Sequence, residues 1–370
     1  MKMTQKIFTL FSLISMLLSS CEIGNFSDIG RYNDNNPLYV YAGGSSDIIA
    51  FKLDPENGSL AKIDQKTLAG NVGSIIIDKA NNRLFAASGD RISGFHINED
   101  GKLSDLAGYP VFPVAANDIK EIIFAHSNSF LFAVYEVTSD LYGFSYSQAA
   151  GTLSPLIAGY PANLGTNVTT ARSINANGFM FYSNLTNSWH RTDINPDGSY
   201  NSTTQMLNYQ SSQVSAAAHD KICIFDPAVA TPPFMEIYVY DFGIDSGEIN
   251  IVRKFVNIPQ GGSQFTSFNN PKGMLYFSHN AEPSIYCLKI HPDGNVDGMI
   301  KNFQTSTITD YQAMDTDPFG EFLLFSSGTA PYSYINAMKI NNDGYPDSGL
   351  YKSQSSPQTI TELKCFRFEK

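Results

Sequence analysis

"INPDGSY" at residues 194–200 and "IHPDGNV" at 290–296 are nearly the same seven letters, written twice in one chain. In each, an apolar residue enters, polar residues follow, and Asp-Gly reverses the chain before the next run begins. Gly adopts positive φ at the least steric cost, and short hairpin connections demand it. Aligning on that glycine gives seven copies: "IIAFKLDPENGSL", "ISGFHINEDGKL", "LYGFSYSQAAGTL", "WHRTDINPDGSY", "YVYDFGIDSGEI", "YCLKIHPDGNV" and "NAMKINNDGYP". The glycines are Gly58, Gly101, Gly151, Gly198, Gly247, Gly294 and Gly344, at separations of 43, 50, 47, 49, 47 and 50 residues. An alternating aromatic and β-branched run leads into each turn and another leads out, so each copy reads as a two-stranded hairpin.

A lone hairpin is marginal in water and needs neighbours. The rest of each period supplies them. "RLFAAS" (83–88), "FLFAVY" (130–135), "FMFYSN" (179–184), "ICIF" (222–225), "MLYFSH" (274–279) and "FLLFSS" (322–327) each precede a hairpin. Before them, past a polar turn, come "SIIID", "EIIFA", "ARSIN", "VSAAA", "FTSF" and "YQAMD". The order strand, turn, strand, loop, strand, Gly-turn, strand makes a four-stranded antiparallel blade. A period in the forties then predicts an all-β, seven-bladed propeller. The first copy opens at "PLYVYAG" (37–43), already the second strand of a blade, while "QTITELKCFRF" (358–368) is left over at the other end. The C-terminal segment is therefore expected to be the inner strand of blade one, which hides two sheet edges.

The first 36 residues are of another kind. Lys2 and Lys6 precede the apolar run "IFTLFSLISMLL" (7–18), and Leu18-Ser19-Ser20-Cys21 follows. Twelve apolar-rich residues suit a secretory signal and are too few for a permanent span. The four letters resemble the bacterial lipobox, which implies a signal peptide over 1–20 and acylation of Cys21. Residues 21–36 are polar and read as a flexible tether, with the propeller occupying 37–370. The expected location is the bacterial envelope, at the outer membrane or cell surface, with the bilayer as partner through the acyl chains of Cys21. With 24 Lys and Arg against 35 Asp and Glu, the net charge of -11 argues against nucleic acid. Cys223, Cys287 and Cys365 sit in apolar runs and read as buried free thiols.

"PLYVYAGGSSDIIAFKLDPENGSLAKI" and "FLFAVYEVTSDLYGFSYSQAAGTLSPL" resemble the repeat unit of lactonase-type seven-bladed propellers. That group includes bacterial 6-phosphogluconolactonase and a fungal muconate cycloisomerase. The resemblance implies an Arg, often within Pro-Arg-His, at the start of an inner strand, with a Glu 16 residues later. In "NDIKEIIFAHSNSFLFAVYEV" the Glu position is Glu136, and Lys120 stands where the Arg would be. Arg172 is the cation on the neighbouring inner strand. The chain has no Pro-Arg-His run, and Lys lacks the planar fork with which Arg grips a carboxylate.

Other chemistry has little support. His96, His126, His190, His219, His279 and His291 show no metal-ligand spacing. "DINPDGS" (193–199) mimics half a calcium loop, but Thr204 stands where a bidentate Glu is needed. Neither a Gly-x-Ser-x-Gly elbow nor a phosphate- or dinucleotide-binding loop occurs, so no cofactor and no metal is expected. Variable loops gather on one face: "DPAVATPPFME" (226–236), "HNAEPS" (279–284), "SGTAPYS" (327–333) and "NLTNSW" (184–189). Binding functions reside on such loops, which makes Pro232, Pro233, Phe234 and His279 candidate contacts. The leading expectation is a non-catalytic envelope lipoprotein that binds a protein or glycan there. The alternatives are a lactonase or cycloisomerase using Glu136 and Lys120, and a scaffold subunit of an envelope complex.

Overall fold

The computed structural model describes residues 37–368, apart from 113–117, 126–127, 136–137, 157–159, 165–167, 176–177, 184–187, 202–203, 208–214, 219–220, 227–233, 243–248, 260–265, 280–283, 294, 296, 298–300, 305–310, 329–330 and 332. For 168–183, 189, 204–270, 279, 301–304 and 348–351 the backbone alone is described.

The alternating runs form antiparallel sheets of four successive strands. The second sheet contains β4 (Val72–Asp78), β5 (Arg83–Ser88), β6 (Arg91–Ile97) and β7 (Leu103–Asp105). The third contains β8 (Ile119–Ala125), β9 (Phe130–Tyr135), β10 (Asp140–Ser147) and β11 (Thr152–Pro155), with β12 (Ala162–Asn163) also pairing β10. In the fourth are β13 (Val168–Asn175), β14 (Gly178–Ser183), β15 (Ser188–Asp193) and β16 (Thr204–Leu207). The fifth holds β17 (Ser215–Ala218), β18 (Lys221–Asp226), β19 (Phe234–Phe242) and β20 (Ile249–Pro259). The sixth holds β21 (Thr266–Asn269), β22 (Met274–His279), β23 (Ser284–Lys289) and β24 (Lys301–Gln304). The seventh consists of β25 (Tyr311–Thr316), β26 (Phe322–Ser327), β27 (Ser333–Ile340) and β28 (Pro346–Ser356). The first sheet takes β1 (Leu38–Gly44), β2 (Asp47–Leu53) and β3 (Leu60–Thr67) from the start of the chain. Its remaining strand, β29 (Ile360–Phe366), comes from the end and pairs antiparallel with β1 from Tyr39↔Phe366 to Gly44↔Ile360.

Each first strand touches the first strand of the next sheet: β29 meets β4, β4 meets β8, and so on through β13, β17, β21 and β25, which meets β29. The cores lie between sheets because both faces of each sheet are apolar. Tyr41, Ile48 and Ala50 of the first sheet pack with Leu84, Phe95 and Ile97 of the second. Leu324, Ile335 and Ala337 of the seventh pack with Val40, Ile49 and Leu363 of the first. Burying one such side chain contributes about 1.5–3 kcal/mol.

The recurring glycine has two reasons to be glycine. In the turn at 98–102, Gly101 N–H donates to Asn98 O at 2.7 Å and Asn98 N–H donates to Lys102 O at 2.9 Å. That is a three-residue connection in which Gly101 alone takes the left-handed conformation, at φ 79°. A side chain there would also run into the ring of Tyr39 in the preceding sheet. At Gly198 a Cβ would lie 2.6 Å from Phe130, and at Gly151 2.9 Å from Arg83. Phe322 of the seventh sheet stands in the same relation to Gly58 of the first, 3.5 Å from a Cβ there. The turn is thus a seat for the preceding sheet's second strand as well as a reversal.

Tyrosines fasten that seat. Tyr41 Oη donates to Gly101 O at 2.9 Å, and Tyr276 Oη donates to Gly344 O at 2.6 Å. Tyr109 and Tyr160 reach Gly151 O and Gly198 O, at 2.9 and 2.8 Å, from the segments that follow β7 and β11. Their rings lie over Gly94 and Gly143, where a Cβ would come within 2.9 Å. The doubled "AGYP" at 107–110 and 158–161 is the sequence trace of this device.

Candidate functional site

Every sheet presents two edges. The Gly-turns and the turns between first and second strands form the turn edge. The opposite, loop edge carries the starts of the first strands, the ends of the second strands and the starts of the third.

At the loop edge the first strands share an irregularity. The register of β8 on β9 runs from Ile119↔Tyr135 directly to Glu121↔Val134, so Lys120 is an extra, bulged residue. Gly73 in β4, Thr169 in β13, Gln312 in β25 and Thr361 in β29 occupy the same kind of step. A bulge bends its strand and re-aims the side chain it carries, which is why bulges gather at functional rims. Successive bulges touch across sheets. Thr361 Oγ1 donates to Val72 O at 3.2 Å, and a Cβ on Gly73 would sit 2.8 Å from Ile119 O. Ile119 N–H in turn donates to Gly89 O at 2.8 Å, tying the entry of β8 to the β5–β6 turn.

Lys120 is half-buried at this step. Tyr135, the last residue of β9, pairs with Ile119, the residue before it. Glu136 itself lies outside the described residues, as do Cys21, Pro232 and Pro233. Arg172 is in β13, the first strand that β8 touches, and pairs with Met180. Phe234 opens β19 opposite Pro259, and His279 closes β22 opposite Ser284. The loop edge therefore gathers Lys120, Phe234 and His279, with Arg172 three residues past the bulge of the next first strand.

Farther along the first strands lies a second charged group that the sequence reading did not single out. Asp315 of β25 accepts from Cys365 N–H of β29 at 2.7 Å. Burial pushes its carboxyl pKa up, against the pull of nearby Lys364 and the backbone donors. The Cys365 thiol is raised well above its ordinary range by burial and by this carboxylate. It is a buried free thiol, as is Cys287; the side chain of Cys223 is among those not described. Toward the turn edge, Arg367 Nε donates to Asp317 Oδ1 at 2.8 Å and Nη2 to Asp317 Oδ2 at 2.9 Å and Glu321 Oε2 at 2.7 Å. This cluster is buried and joins the last residues of the chain to the seventh sheet.

The half calcium loop is consumed by its own turn. Arg191 holds Asp193 at 2.6 Å, and Asp197 Oδ1 accepts from Ser199 N–H and Oγ–H at 2.9 and 2.6 Å. Among the described residues no three His, Cys, Asp or Glu converge as a metal set. His291 is engaged with Asp297 at 2.8 Å in a Gly-turn. A shallow depression of about 500 Å³ lined by His96, Asn98, Glu99, Asp100 and Lys102 lies on the turn edge, away from the first-strand entries.

No family model matches the chain, and no curated protein matches it. Solved structures do. A candidate 6-phosphogluconolactonase of Bacteroides fragilis superposes with a TM-score of 0.68 at 12% identity, covering 91% of this chain and 99% of that one. The periplasmic gluconolactonase of Pseudomonas aeruginosa gives 0.67 at 12% identity, covering 90% and 100%. A β-propeller domain from Myceliophteria thermophila gives 0.56 at 10% identity, covering 81% and 93%. At these identities the likeness speaks for the fold alone, and it identifies the antiparallel four-stranded sheets of this chain as those of a β-propeller.

Proposed function

We propose that the seven sheets are the blades of one closed propeller, completed by β29, and that its loop-edge mouth hydrolyses a sugar-acid lactone. One observation carries the activity: a bulge delivers Lys120 beside the end of β9, next to the first strand that bears Arg172. The near-complete superposition on two lactonase-named structures supports the same reading.

In this scheme Lys120 and Arg172 bind the lactone carbonyl and stabilise the oxyanion that forms on it. Glu136 takes a proton from the attacking water, whose oxygen bonds to the acyl carbon. The bond from that carbon to the ring oxygen breaks, and the proton passes to the departing alkoxide, leaving a hydroxy acid. No cofactor or redox partner enters the balance.

The test is hydrolysis of glucono-δ-lactone above its spontaneous rate, with Lys120→Ala and Glu136→Gln as controls. A loss of about 100-fold or more in either variant, with the fold intact, supports the assignment. Equal rates in all three proteins sink it. The loop edge would then be read as a non-catalytic surface for a protein or glycan, centred on Pro232, Pro233, Phe234 and His279.

We also propose that the chain is exported and anchored in the bacterial envelope, at the outer membrane or cell surface, through acylated Cys21. The lipobox-like Leu18–Cys21 supports this reading. Metabolic labelling with a palmitate analogue should mark the wild-type chain and fail on Cys21→Ala, which should leave the membrane fraction. Unlabelled wild-type protein would end the idea.

A further inference from the structure

Among the described residues two large hydrophobic side chains are prominently exposed, Phe112 at 54% and Tyr334 at 40%. Both sit at the loop edge: Tyr334 is the second residue of β27, and Phe112 follows an antiparallel bridge between Val111 and Ile92 near the start of β6. Phe112 is held in place. Ile92 and Val111 exchange two hydrogen bonds of 2.9 Å, and the Arg91 guanidinium lies 4.7 Å from the centre of the Phe112 ring. Arg91 is itself fixed by Asp90 at 2.9 Å.

The third sheet contains the same local construction with different chemistry. There "AGYP" is again followed by a residue that pairs with the start of the third strand, Ala162 against Leu141. The position of Phe112 is taken by Asn163, which donates to Thr138 O and to Asp140 Oδ1 at 3.2 Å. Asp140 stands where the second sheet has Arg91. The architecture is thus satisfied by an Asn–Asp contact, and the second sheet instead displays an aromatic face backed by a cation. That ring keeps more than half of its surface in contact with water, apolar area that a ligand could cover.

We infer that Phe112, held by Arg91, is a stacking platform for a second sugar ring, so that the ligand is an oligosaccharide-derived sugar acid rather than a single sugar acid. The inference rests on the reading of the Lys120 mouth. A sugar presents a flat C–H face, which suits an exposed aromatic ring, and a hydroxyl edge, which suits the part-exposed Asp90 carboxylate. The spacing admits a second ring. Lys120 follows the residue bonded to Gly89, between the second and third strands, while Phe112 lies outboard of β6 in the fourth-strand position. Across the sheet that is about one and a half strand spacings, roughly 7 Å.

The experiment compares lactobiono-δ-lactone with glucono-δ-lactone on the wild type and on Phe112→Asn, the residue the third sheet uses. The wild type should show a KM for the disaccharide lactone lower by about tenfold. Phe112→Asn should erase that difference while leaving kcat on glucono-δ-lactone and the melting temperature unchanged. A wild type without the preference, or a variant that keeps it, overturns the platform and leaves the lactonase reading standing. If the wild type hydrolyses neither lactone, the lactonase reading falls, and calorimetry with lactobionate and gluconate decides the platform. Tighter lactobionate binding that Phe112→Asn abolishes supports it; equal or absent binding overturns it.

Discussion

The two edges of this molecule follow opposite rules. On the turn edge the same parts recur from sheet to sheet: a left-handed glycine, a side chain of the preceding sheet seated on it, and a tyrosine bonded to its carbonyl. On the loop edge equivalent positions diverge, with Gly73, Lys120, Thr169, Gln312 and Thr361 at one step and Phe112 against Asn163 at another. Repetition marks what every sheet needs in order to pack on its neighbour. Divergence marks what packing leaves open, and there a site can be built.

If that contrast holds, damage to the turn edge should register as lost stability and damage to the loop edge as lost function. The largest effect is expected at the buried cluster near the C-terminus. Arg367→Ala strands Asp317 without its two guanidinium bonds and should cost about 3–5 kcal/mol in denaturant unfolding. A variant within 1 kcal/mol of wild type would show that β29 is held by its strand pairing alone. Gly101→Ala follows, because the added methyl meets both an unfavourable φ and the Tyr39 ring; about 2–3 kcal/mol is expected. Tyr41→Phe removes only the bond to Gly101 O and should cost about 1–2 kcal/mol. At the loop edge, Lys120→Ala should move stability by no more than about 0.5 kcal/mol while abolishing the proposed activity. A large stability loss there would erase the distinction between the edges.

A pH series sharpens the comparison within the first strands. The Asp315 carboxyl titrates higher in the folded chain than in an unfolded one, chiefly because it is buried. The folded state therefore binds this proton more tightly, and the group's contribution to stability declines as pH rises through the folded value. Asp315→Asn keeps an acceptor for Cys365 N–H without the charge, so it should gain stability relative to wild type as pH rises from the acidic range to neutrality. A difference in melting temperature that stays flat across that range would show that Lys364 and the backbone donors offset the burial completely.

Much of the architecture was legible in the letters. The runs at 83–88, 130–135, 274–279 and 322–327 are β5, β9, β22 and β26 residue for residue. The leftover segment at 358–368 contains the strand that pairs with β1. These features are local, or follow from counting strands: alternation sets a strand, a glycine sets its turn, and an unpartnered first strand calls for a last one. The candidate site was legible only in part. Lys120 and Arg172 were named from the sequence, but nothing in the letters marks Lys120 as a bulge, because a bulge is a mismatch in register between two strands. Arg91, Phe112 and the group around Asp315 were missed for a related reason. Each matters through a partner on another strand or sheet, such as Asp315 beside Cys365, 50 residues away.

What the sequence by itself determined is the repeating unit: a hairpin whose glycine is required by its own backbone, flanked by strands whose alternation is required by two buried faces. The tertiary structure alone decided which copies of that unit are ordinary. Conformational demands act within a few residues and leave a periodic trace, whereas contacts between sheets join residues tens to hundreds of positions apart. Pairing between strands of one sheet likewise joins distant residues, and it makes one lysine a bulged rim residue and leaves one phenylalanine exposed beside an arginine.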